Sequence, residues 1–135
     1  MSAKKKGMEI AVRAMYAVDI GKNAIPDALL PFKYEPADAL EHALQLLDGT
    51  LSKINEIDKK ISSLLENWKL DRINTVDKEI LRIAIFGIDS NFDSEGFIVF
   101  VAVELAKKYG NSDSGNFVNG VLRNYLRQKY GEVKS

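Results

Sequence analysis

One segment decides between fold classes: FIVFVAVELAKKYG, residues 97–110. Eight of its first nine residues are apolar and β-branched types dominate, so local propensity favours a buried strand. No other segment reads as a convincing strand, however, and a strand without a neighbour leaves its backbone groups unpaired. The segment also ends like a helix, with Lys107 and Lys108 in the last turn and Gly110 just past it. The consistent solution is a helix in an all-α protein.

The rest of the chain keeps helical spacing. Met8, Ala11, Val12, Met15 and Val18 share one face of a helix over residues 8–20, with Gly21 as a stop. KNAIPDALLPFKYEP, residues 22–36, holds all three prolines and reads as a connection with a short helical turn around Asp27 to Leu30. From Ala37 to Trp68, Leu40, Leu44, Leu47, Leu51, Ile54, Ile57, Ile61, Leu64 or Leu65, and Trp68 recur in steps of mostly three and four. That pattern predicts one long amphipathic helix, or two joined near Gly49. Asn74 or Thr75 caps the next helix, with Asp77 in its first turn, and a final helix runs from Ser114 to about Lys129.

A length of 135 residues fits one domain with a core, the first seven residues forming a flexible basic tail. The absence of Cys excludes disulfides and thiolate chemistry, and His42 alone cannot build a histidine metal site. No phosphate-binding Gly-rich loop, nucleophile elbow or metal-spaced cluster is present, so no catalysis and no cofactor is expected. No apolar run approaches a membrane span, and the N-terminus lacks the apolar core of a secretory signal, so a cytoplasmic protein is expected.

Net charge is zero but unevenly spread: residues 1–34 and 96–135 each carry +3, while 35–66 carry −4 and 67–95 carry −2. If the fold brings the ends together, one cationic face results, which would suit a polyanion. Solvated surfaces without a partner would give the same count. Lys4, Lys5 and Lys6 could contact phosphates, and Arg13 and Tyr16 lie one turn apart nearby. Tyr16 could equally belong to the core.

In NFVNGVL, residues 116–122, Asn119 and Gly120 sit inside the first turns of the last helix, although both are poor helix formers. A structural reading has Gly120 admitting a neighbouring helix and Asn119 capping a nearby loop. A functional reading has Asn116, Phe117 and Asn119 forming part of a surface on which unpaired bases stack and pair their edges.

NWKLDRINTVDKEILRIAIF and VELAKKYGNSDSGNFVNGVL resemble two signature segments of the NusB family of bacterial transcription antitermination proteins, and KKKGMEIAVRAMYAVDI is similar to the family's basic opening helix. The resemblance runs in order along the whole chain. It implies an all-α fold of about six to seven helices in two packed bundles, with no catalytic activity and no cofactor. It also implies binding to the boxA element of nascent RNA with ribosomal protein NusE, in a complex with RNA polymerase and other Nus factors on ribosomal RNA operons.

Carried over by position, the basic opening falls on Lys4, Lys5 and Lys6, with Met8 where a further basic residue is common. The helix tyrosine falls on Tyr16, and the late signature on Phe117, Val118, Asn119 and Gly120, with Asn116 where Lys is common and Arg123 where Asp is. The expected RNA-binding residues are therefore Lys4, Lys5, Lys6, Arg13, Tyr16, Lys107, Lys108, Asn116, Phe117, Asn119 and Arg123. Phe86 and Gly87 stand where the family carries a tyrosine followed by a NusE-contacting glutamate, and Phe100 and Val101 replace polar residues; these four are the expected protein interface. A rival reading takes the acidic middle and the apolar stretch Phe97 to Val101 as a protein-binding or homodimer surface, with RNA contact incidental.

Overall fold

The computed structural model describes residues 2–65 and 69–131, and among these it contains helices and no strand. Seven α-helices follow in order: α1 Ala3–Asp19, α2 Ile25–Leu29, α3 Ala37–Ser52, α4 Ile54–Leu64, α5 Thr75–Asp89, α6 Glu95–Tyr109 and α7 Ser114–Gly131. The segment that local propensity would extend is α6. Ser94 starts it by accepting from the Phe97 amide at 3.3 Å, and Lys107 and Lys108 close it. Tertiary burial overrides strand propensity here, since Ile98, Val99, Val101, Ala102, Leu105 and Ala106 all enter the core.

Two groups of helices share that core. The first joins α1, α2 and α3; the second joins α4, α6 and α7 around α5, which also packs on α1 and α3. Central α5 is buried on most sides, as its near-continuous apolar sequence requires. Its Asn74 cap accepts from the Val76 amide at 2.8 Å.

Three expectations need correction. Residues 3–7 are not a flexible tail: α1 begins at Ala3, Ser2 accepts from the Lys5 amide at 3.1 Å, and Gly7 and Met8 are already buried. Gly7 allows this, because a Cβ there would stand 2.7 Å from the His42 Cβ and 2.9 Å from the Ala39 carbonyl of α3. The junction between α3 and α4 is at Lys53, not near Gly49, and Leu44 is half exposed while Ala39, Ala43, Leu46 and Leu47 form the buried face. The close α1–α3 approach selects small residues for the seam. As expected, α1 stops just before Gly21, with Ile20 as its cap, and the left-handed backbone of the turn is taken by Lys22 (φ 58°). Trp68, expected on the apolar stripe, lies outside the described residues.

One buried cation links the helices. Arg82 of α5, 7 % exposed, donates through Nε and Nη2 to both oxygens of Asp58 in α4, at 2.8 and 2.7 Å. Its Nη1 reaches Asp19 at the end of α1 (3.1 Å) and Glu79 one turn earlier on α5 (2.9 Å). Lys78 also approaches Asp19, at 3.3 Å. Two cations face three carboxyls, so charge balances when one carboxyl keeps its proton. Burial, followed by the neighbouring Asp19, pushes Glu79 up to about 8. The Glu79 hydrogen bond, with Lys78 and Arg82 beside it, holds Asp19 down to about 2 despite partial burial. Glu79 is therefore the carboxyl of the cluster that favours keeping its proton, and Asp19 the one that stays charged.

Gly49 is needed because the Phe86 ring lies against it: a Cβ there would stand 2.0 Å from the ring tip. Gly49→Ala should destabilise the fold by about 1–3 kcal/mol in urea unfolding, and the cost should largely vanish in a Phe86→Ala background. The proton on Glu79 gives a second expectation. Its folded value of about 8 exceeds the ordinary 4.5, so stability is lost as pH rises between those values. Asp19 acts oppositely, its contribution vanishing as pH falls through 3.8 toward about 2. Unfolding midpoints should thus decline from about pH 5 to about pH 8, and Glu79→Gln should flatten that decline.

Candidate nucleic-acid interface

Lysines at the start of a helix face the positive end of its dipole, so they need acidic neighbours. Lys4 approaches Asp93 (3.8 Å), Lys5 pairs with Glu104 of α6 (2.7 Å), and Lys6 lies near Glu9 (3.7 Å) and Glu35 (3.8 Å). Lys108 of α6 reaches back to Glu9 at 2.7 Å. The start of α1 and the end of α6 therefore form one lysine-rich surface threaded by carboxylates. It is not a bare cationic strip.

Glu9 organises it. The side chain is buried, and its Oε2 accepts both from Lys108 Nζ and from the Tyr109 hydroxyl. Burial works against its charge, but the bonds from Lys108 and Tyr109 and the charges of Lys108 and Lys6 outweigh burial and hold Glu9 below the usual carboxylate range. The sequence reading gave Glu9 no role, although an acid inside an otherwise apolar helical stripe was the available signal. Met8, where a lost surface cation was expected, is a core side chain.

Next to this cluster, the Arg13 guanidinium lies over the Phe32 ring (4.9 Å) and within 5.8 Å of the Tyr109 ring centre. Tyr16, one turn on, is 44 % exposed. Together with Val12, Val76, Glu79 and Tyr109, these two line a cleft of about 260 Å³. Two tyrosines and a stacked guanidinium around an apolar floor can receive a planar ring.

The α7 residues are placed differently. Asn116 and Arg123 are exposed, and Phe117 is half-buried beside a second cleft between the starts of α5 and α7. Asn119 accepts from Arg123 Nε at 3.4 Å; it does not cap a neighbouring loop. Lys107 is exposed at its head and lays its stem against Gly115. No contact among the described residues ties Arg123 to the lysines of α1.

Of the expected protein interface, Gly87 and Val101 are interior and cannot meet a partner in this fold. Their helices bury these positions against each other, and Ile98 of α6 packs on Gly87. Phe86 is half-buried against Gly49. Phe100 is 56 % exposed, with the Lys5 ammonium 5.8 Å from its ring centre. The apolar surface expected over Phe97 to Val101 thus narrows to Phe100 and the edge of Phe97, because Ile98, Val99 and Val101 are core.

A family model described as the NusB family matches residues 6–127. The transcription antitermination protein NusB of Treponema denticola is 37% identical over 126 residues, covering 88% of this chain and 92% of that protein. Among solved structures, a crystal structure of antitermination factors NusB and NusE in complex with dsRNA superposes with a TM-score of 0.85 at 27% identity, over 95% of this chain and 98% of that one. The solution structure of NusB from Aquifex aeolicus gives a TM-score of 0.80 at 27% identity, over 100% and 94% of the two chains.

The close-packing role expected of Gly120 does not hold, since a Cβ there would meet nothing within 4 Å. Gly120→Ala should therefore raise stability by about 1 kcal/mol through helix propensity, read as a higher unfolding midpoint.

Proposed function

The chain belongs to the NusB family, and on that premise we propose that it is a transcription antitermination factor that binds boxA-type single-stranded RNA of nascent ribosomal transcripts. It does so together with ribosomal protein NusE, within an RNA polymerase elongation complex that carries other Nus factors, in the cytoplasm. The observation that carries this reading is the surface around Glu9: Lys6 and Lys108 beside an Arg13 guanidinium stacked on Phe32 and Tyr109, next to the exposed ring of Tyr16. Cations supply phosphate contacts, and rings supply stacking for unpaired bases. The amides at the start of α1 add donors for an anion.

The carboxylates shape how this surface works. Exposed ion pairs contribute little in water, so a phosphate can replace Glu104 or Glu35 beside a lysine at small cost. Glu9 is buried and remains in place as the anchor for Lys108 and Tyr109. Lys4, Lys5, Lys6, Lys107, Lys108 and Arg123 are the phosphate contacts in this reading, and Asn116, Phe117 and Asn119 extend the RNA surface onto α7. In this reading NusE meets the exposed ring of Phe100 beside Lys5, and the half-exposed Phe86 is a further protein contact. The fit of a copy of this chain to the same face is the competing use of Phe100, and it predicts a dimer that RNA does not bind.

Titration of boxA-like single-stranded RNA at several salt concentrations, with and without NusE, tests the proposal. Affinity should fall with salt, and replacing Lys4, Lys5 and Lys6 by Gln should reduce the salt slope by about one for each lost phosphate contact. Glu104→Gln should instead tighten binding, because it releases Lys5. Salt-insensitive binding, or affinity indifferent to the lysine substitutions, would refute the assignment.

A further inference from the structure

The second cleft, between the N-terminal turns of α5 and α7, has a volume of about 280 Å³. That is larger than the roughly 150 Å³ cavity that accepts a benzene ring. It falls short of the roughly 300–1,000 Å³ typical of drug-sized ligand sites. A cleft of that size has room for a single planar ring system. Phe117 forms one wall, Asn111 and Asp113 form a lip, and Arg72 is the one cation that lines it among the described residues.

Asp77 reaches into this cleft from the first turn of α5. It is 4 % exposed, and its Oδ1 has no hydrogen-bond partner. A buried carboxylate oxygen left in that state costs free energy unless something occupies it. The Ser114 hydroxyl at the start of α7 is the neighbour that relieves part of the burial, which otherwise pushes the carboxyl up. Two carboxylates at the cleft make it rich in acceptors, so it favours N–H donors and disfavours a phosphate.

We propose that this cleft takes one unstacked guanine, with Asp77 accepting from its Watson–Crick edge and Phe117 stacking on its face. Guanine is the base whose edge places two N–H donors side by side, at N1 and the 2-amino group, which a carboxylate can receive together. Cytosine and adenine offer only the amino group there, and uracil sets a single N–H between two carbonyl oxygens that a carboxylate repels. Asp77 is thus a specificity-determining residue, distinct from the lysines that set overall affinity. This inference rests on the RNA-binding reading above and adds the chemistry that would select one base.

Three oligonucleotides of equal length and charge test it: all-uridine, the same with one central guanine, and the same with inosine, which lacks the 2-amino group, in place of that guanine. The unaltered chain should bind the guanine form roughly tenfold more tightly than all-uridine, and inosine should lose most of that gain. Asp77→Asn should bind all three alike with an unchanged salt slope, and Phe117→Leu, which keeps an apolar side chain, should lower the guanine preference too. A preference that persists in both variants, or that is absent from the unaltered chain, overturns the assignment while leaving RNA binding intact. Binding of none of the three by the unaltered chain overturns the RNA reading as well. The inosine comparison uses only the unaltered chain and so stands even if Asp77→Asn fails to fold.

Discussion

A guanidinium cannot be left unpaired inside a protein, and this constraint organises the molecule around Arg82. Its planar fork takes Asp58 at two atoms and leaves the third nitrogen for Asp19 and Glu79. Because the three carboxyls come from α1, α4 and α5, satisfying one side chain sets where three helices meet. The cleft lined by Arg13, Tyr16 and Glu79 is a consequence of that arrangement. Asp19, at the end of α1, is pinned to Arg82, which brings the preceding turn with Tyr16 over the start of α5. With Glu79 protonated, two cations face two charged carboxylates and the network is neutral.

The cationic surface illustrates a second economy of charge. Three lysines at the start of a helix repel one another and oppose its dipole, yet they are ordered here because each has an acidic neighbour. Asp93, Glu104 and Glu35 are half-exposed, so phosphates can exchange for them; Glu9 is buried, so it fixes geometry. Under the proposed function, recognition of RNA is a replacement of intramolecular ion pairs. On the proposed function, non-specific attraction is weaker than the lysine count implies, and discrimination falls to the rings of Tyr16, Tyr109 and Phe117 and, on the further proposal, to Asp77.

The membership of this chain in the NusB family gives the two clefts a common context. They lie on either side of the start of α5, one against α1 and one against α7. A strand of RNA crossing that helix end could present one base to each. Further along α7, Gly120 faces open space, with Asn119 and Arg123 joined to each other beside it. Two poor helix formers are tolerated there because Val118, Val121 and Leu122 anchor the helix from its other face.

Helix positions were legible from the chain because amphipathic spacing and end signals are local: Asn74, Ser114 and the lysines closing α6 could be recognised without knowing any neighbour. The all-α class followed from the same logic, since one strand-like segment lacked a mate. Local rules stop where two faces meet. Only the tertiary structure decided that Gly49 yields space to Phe86, that Gly7 brings α1 onto α3, and that the helix break falls at Lys53. It also decided which charges are free to act, pairing Lys5 with Glu104 and burying Met8, Gly87 and Val101 where surface roles were expected. Sequence determines the period with which side chains leave a helix, but the partner of each face depends on contacts between residues far apart in the chain, and those exist only after folding.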